Sequence, residues 1–94
     1  MKAVRFHVFG GAEQLVYEDA PEPAPGPGEV VVRVQACALN HLDLWVRKGI
    51  PAYRIQLPHI SGCDVAGIID EIGEGVEGIE IGQRVFIAPG LSCF

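Results

Sequence analysis

The sequence predicts a mainly β fold, a small and partly open β-barrel with one short helix. Three observations carry this. The chain has 94 residues, so it is one domain or a piece of one. Residues 29–37 alternate with a period of two: Val30, Val32, Val34 and Ala36 fall on one face, and Val31, Arg33 and Gln35 on the other. Glycine (12) and proline (7) punctuate the whole chain instead of forming a tract, which divides it into short elements joined by turns.

Residues 2–9 read as a first strand that stops at the turn signal Gly10-Gly11, and residues 14–18 as a second strand pairing with it in a hairpin. Residues 20–28 alternate proline with small residues. Proline lacks an N–H and fixes φ, so this stretch is an extended surface connection. After the strand at 29–37 the period changes. Leu42, Trp45 and Val46 lie at i, i+3 and i+4, and Gly49 closes the run, so residues 40–48 read as a helix with Asn40 as N-cap. Residues 51–58 read as loop, 65–72 as a strand, 75–78 as a turn and 84–88 as a last strand stopped by Pro89-Gly90.

Composition excludes several function classes. The net charge is −5, whereas nucleic acid and anionic membrane surfaces both demand a cationic face. No apolar stretch approaches the ~20 residues of a membrane span. Residues 1–7 lack the apolar core of a signal peptide, and three cysteines are too few for a disulfide framework, so a reducing cytoplasmic setting is expected. Apolar residues make up 49% and charged residues 20%. A chain this short cannot bury so much apolar surface, so an uncovered face is expected, open to a partner or to self-association.

Two clusters carry candidate chemistry. In Asn40-His41-Leu42-Asp43-Leu44-Trp45 a strand hands over to a helix. His41 there can meet an anionic group and Asp43 can orient a polar neighbour. The competing structural account makes Asn40 a cap, Asp43 a carboxylate set against the helix dipole, and Trp45 core. In Gly62-Cys63-Asp64-Val65-Ala66-Gly67 a polar pair between glycines leads into an apolar strand. Cys63 and Asp64 are possible zinc ligands, against a small buried thiol and a turn carboxylate. Cys93 alone cannot build a zinc site. The run Gly73-Glu74-Gly75-Val76-Glu77-Gly78 satisfies a dinucleotide-binding pattern. No helix follows it, however, and its glutamates would repel a pyrophosphate, so it reads as a turn.

Several of these segments resemble the medium-chain dehydrogenase/reductase family of zinc-type alcohol dehydrogenases and quinone oxidoreductases. They are the opening Met1-Lys2-Ala3-Val4, the Pro25-Gly26-Pro27-Gly28-Glu29-Val30 lead into the central strand, and the glycine spacing Gly62, Gly67, Gly73. Gly82-Gln83-Arg84-Val85 and Pro89-Gly90-Leu91-Ser92-Cys93 complete the set. The resemblance implies a GroES-like catalytic domain over residues 1–94, cut short before the nucleotide-binding domain. It implies hydride transfer with NADP or NAD in the whole enzyme, acting on a small carbonyl, enone, quinone or alcohol. Cys93 would stand at the start of a structural zinc lobe.

The departures point to one branch. Asn40 stands where zinc enzymes carry a cysteine, and Cys63-Asp64 where they carry a His-Glu pair, which resembles the zinc-independent quinone oxidoreductases. The resemblance places Asn40 beside nicotinamide and substrate, His41 near the cofactor phosphates and Trp45 in the pocket. Cys63 and Asp64 line the vestigial zinc position, and with Asn40, Asp43 and Trp45 form the expected catalytic set. The competing expectations are a co-chaperonin, which such barrels also serve as, or a binding and oligomerisation module without chemistry.

Overall fold

A computed structural model describes residues 1–88. Among them are six strands and one α-helix: β1 (Lys2–Phe6), β2 (Val16–Asp19), β3 (Val30–Ala38), α1 (His41–Lys48), β4 (His59–Ile60), β5 (Asp64–Ile72) and β6 (Arg84–Phe86). They form two antiparallel three-stranded sheets, ordered β2-β1-β4 and β3-β5-β6. The sheets do not close on each other, which makes the expected mainly β, partly open barrel. No helix of the described residues is long and apolar enough to cross a membrane.

The first strand is shorter than the sequence suggests. Beyond Phe6 the chain leaves the sheet to meet α1, where the Gly10 N–H donates to the Arg47 carbonyl (2.9 Å) and Arg47 Nε donates to the Gly10 carbonyl (3.3 Å). A 3₁₀ turn at Ala12–Gln14 takes the place of the expected start of the second strand. The sequence gives no warning of β4, two residues pairing with Arg5 and Phe6 inside the stretch after Pro58. The proline-rich connection forms neither helix nor strand over residues 20–26 and turns at 27–28. It is tied down at its end, where Gly28 donates to the Glu74 carbonyl (2.8 Å) and Gly73 to that of Glu29 (2.7 Å).

The ladder between β3 and β5 corrects the expected face of β3. Val34 pairs with Gly67, but Ala36 pairs with Ala66, so Gln35 is an extra residue bulged out of register. Gly67 and Ala66 are neighbours and lie on opposite faces of β5. The bulge therefore carries Ala36 to the face opposite Val30, Val32 and Val34. Glycine is required at 67, because a Cβ there would fall on the Arg33 carbonyl oxygen and against Val32.

The core is small. Phe6, Ala20, Val46 and Ile69 are the buried apolar residues among those described. Phe6 sits between the rings of Phe9 (6.0 Å between centroids) and His59 (5.4 Å). Many large apolar side chains stay exposed, Phe86, Leu39, Tyr17 and Ile81 foremost, as the apolar excess of the composition requires.

Candidate active site

The site grows from the handover between β3 and α1. Asn40 is the helix N-cap, in extended conformation, and its backbone N–H donates to Asp43 Oδ2 (2.8 Å). The other Asp43 oxygen, Oδ1, accepts the N–H of Gly62 (2.8 Å). Gly62 has φ +107°, a backbone conformation that favours glycine. One buried carboxylate thus fastens the start of α1 to the segment entering β5. That clamp brings the two sequence clusters together: Asn40 Nδ2 donates to Asp64 Oδ2 at 2.6 Å across 24 positions of chain. The Asn40–Asp64 pair lies on the exposed side of the clamp, and Asp43 on its buried side.

Asp64 opens onto a shallow groove of about 360 Å³, lined otherwise by Ala36, Cys37, Ala38, Val65, Ala66, Phe86 and Ile87. Its walls are small or apolar, and Phe86 is 84% exposed at its edge. Further round, Trp45 is 54% exposed, not the core residue that a purely structural reading makes it. The helix buries Val46 and Asp43 instead. His41 is exposed one turn before Trp45, and the two rings meet edge to face at 5.1 Å. Cys63 is half-buried between Gly62 and Asp64. Cys93 lies outside the described residues.

His59 escaped the sequence reading. It is half-buried against Phe6, and burial pushes its pKa below the ordinary 6.5, opposed by the charge of Asp43. A single histidine between a proline and an isoleucine carries no periodic or motif signal. The groove walls Ala36, Ala66 and Phe86 were missed for another reason. They meet only through the register of three strands, shifted by the bulge at Gln35.

The residues present do not fit a catalytic zinc. Asn40 offers an amide where a thiolate would bind, and its nitrogen is engaged by Asp64. Among the described residues no three His, Cys, Asp or Glu side chains converge as a metal site.

The profile of the alcohol dehydrogenase GroES-like domain matches residues 26–94. Quinone oxidoreductase of Lama guanicoe is 39% identical over 93 residues, which cover 98% of this chain and 28% of that protein. A crystal structure of an NAD-dependent alcohol dehydrogenase superimposes with a TM-score of 0.88 at 53% identity, over 99% of this chain and 27% of that one. Escherichia coli quinone oxidoreductase complexed with NADPH superimposes with a TM-score of 0.85 at 31% identity, over 95% of this chain and 27% of that one. The chain spans about a quarter of the length of these relatives.

Proposed function

We propose that this chain, which belongs to the alcohol dehydrogenase GroES-like domain family, is the substrate side of a metal-independent NAD(P)H-dependent reductase of quinones or enones. The observation that carries the reading is the Asn40–Asp64 pair, held by Asp43 at the mouth of an apolar groove. The groove suits a flat, apolar carbonyl compound, and the amide at its mouth supplies a polar group where the carbonyl would lie. The relatives support the cofactor class, since one is described as NAD-dependent and another was crystallised with NADPH.

A bound nicotinamide cofactor would supply a hydride to the conjugated carbon of the substrate. The chain's own residues do the rest. As hydride adds, negative charge gathers on the substrate oxygen, and a fixed donor there lowers the barrier. The Asn40 amide keeps one N–H after donating the other to Asp64, and that N–H is the donor offered to the oxygen. Asp43 acts on the backbone: by accepting from Asn40 and Gly62 it fixes the position of the amide relative to the groove. The exposed His41–Trp45 edge is the flank offered to the cofactor. The grip on the nucleotide lies outside this chain, in a second domain facing the groove.

The test is NADPH consumption with 1,4-naphthoquinone by the polypeptide that carries this chain, with and without a chelator. The expected result is turnover that the chelator leaves unchanged. Turnover lost to the chelator and restored by zinc overturns the metal-independent reading, and absence of turnover with quinones and enones overturns the function. Calorimetry of the 94-residue chain with NADPH is expected to show no micromolar binding; a micromolar site would place the nucleotide grip within it.

A further inference from the structure

The register of β3, β5 and β6 sets up one face of the sheet as a strip with opposite charges at its two ends. Paired residues in antiparallel strands share a face. Ala38 pairs with Asp64, Ala36 with Ala66 and Phe86, and Arg33 with Ile68 and Arg84. The bulge at Gln35 puts Ala36 on this face, so the strip runs in three rows. Asp64 with Ala38 forms one end, two alanines with Phe86 form the middle, and Ile68 flanked by Arg33 and Arg84 forms the other end. Four residues of extended chain separate Asp64 from Ile68, roughly 13 Å. The charged groups on this face are therefore Asp64 at one end and, at the other, the two arginines with Glu71 in the next row opposite Val31. Arg33 already pairs with Asp70 at 3.1 Å. The middle row is a floor of methyl groups one aromatic ring wide, with Phe86 as its edge.

Resting on the reading above that this groove receives the substrate, we propose that Asp64 is a specificity-determining residue: its carboxylate, beside the Asn40 amide, restricts the groove to aromatic carbonyl compounds uncharged next to the carbonyl. The argument is electrostatic. The amide draws the substrate carbonyl to the Asp64 end. An anion attached next to that carbonyl is then set against a fixed like charge, inside a groove whose other walls are apolar and provide no counter-charge. Aspartate also holds the amide in one orientation. A carboxylate only accepts hydrogen bonds, so it selects the nitrogen end of Asn40 and leaves the oxygen end on the opposite side.

The test uses the 94-residue chain and two ligands matched in shape around the carbonyl, methyl phenylglyoxylate and phenylglyoxylate. The first is neutral and the second carries a carboxylate directly on the carbonyl carbon. Binding is followed by the backbone amide resonances of Ala36, Ala66 and Phe86. The ester is expected to bind about tenfold more tightly than the anion, the scale of a like-charge penalty near a protein surface. In Asp64→Asn, whose side-chain oxygen still accepts from Asn40, the ratio is expected to fall below about threefold. In Arg84→Gln it is expected to stay at or above the wild-type value.

A ratio unchanged by Asp64→Asn overturns the proposal, as does relaxation by Arg84→Gln alone. If Asp64→Asn does not fold, the wild-type ratio decides: equal affinities, or preference for the anion, overturn it. Absence of saturable shifts at those three amides with either ligand also overturns it. None of these measurements involves NADPH or turnover, so their failure is distinct from a failure of the reductase reading in the chelator assay.

Discussion

The two ends of the molecule each hang on one carboxylate with two partners, and they differ in what those partners are. At the site end, Asp43 is buried and accepts from two backbone N–H groups, those of Asn40 and Gly62. At the hairpin end, Glu18 on β2 takes Arg5 Nε at 2.6 Å and the ring of His7, both side chains of β1 or its edge. Backbone donors lie in the fold itself, so losing their acceptor leaves two part-buried N–H groups that cannot swing to another partner. Side-chain donors at a half-exposed surface turn to water instead. The difference teaches where rigidity resides. The clamp that sets the Asn40–Asp64 geometry is built into the chain path, while the hairpin pair is an adjustable surface contact.

The largest expected effect sharpens the contrast from the sheet beneath the site. Gly67→Ala forces a methyl group onto the Arg33 carbonyl at the tightest point of the β3–β5 ladder. A loss of about 3 kcal/mol or more is expected, because the Arg33 backbone cannot yield and the branched Val32 side chain closes the other approach. Urea denaturation measures it, and a loss below about 1 kcal/mol means the two strands can separate locally. Asp43→Ala comes next, with an expected loss of about 2–4 kcal/mol from two orphaned backbone N–H groups. Asp43→Asn keeps one acceptor oxygen and is expected to lose about half of that. Should both variants melt like the parent, the site end is no more rigid than the hairpin.

Acid acts by smaller effects, through two groups of the hairpin sheet, His59 on β4 and Glu18 on β2. Burial lowers the pKa of His59 in the folded state, so the unfolded chain binds that proton first. Its contribution to stability is present above the ordinary 6.5 and is lost as the pH falls below that value toward the lowered one. The pKa of Glu18 is lowered by its hydrogen bonds to His7 and Arg5, so its contribution is present above 4.5 and is lost as the pH falls through the lower folded value. Thermal melts across this range are expected to weaken first below 6.5, where His59→Gln removes the dependence. They weaken again below 4.5, where Glu18→Gln does so. A single transition range common to both variants means that the two groups do not titrate separately.

The sequence already carried the strands at 29–37 and 65–72, the helix closed by Gly49, and the two clusters around Asn40 and Cys63-Asp64. Each is a local signal: period-two alternation, i to i+4 spacing, a cap residue, a glycine pair. Even the apolar excess was readable, because it depends only on how little surface a chain of this size can bury.

What lay beyond reach has one common cause. The Asp43 clamp, the Asn40–Asp64 bond and the row of Ala36, Ala66 and Phe86 all join residues distant in the chain through register. Register here shifts twice, at Asp70 of β5 and at Gln35 of β3, and the bulge at Gln35, which alternation along β3 cannot announce, reverses every face of β3 after it. The sequence by itself determined which segments extend, which one coils, and which polar residues stand at their junctions, since those follow from backbone preferences over a few neighbours. Only the tertiary structure decided which junction residues touch and which face they serve, because strand pairing is settled by packing between segments and not within them.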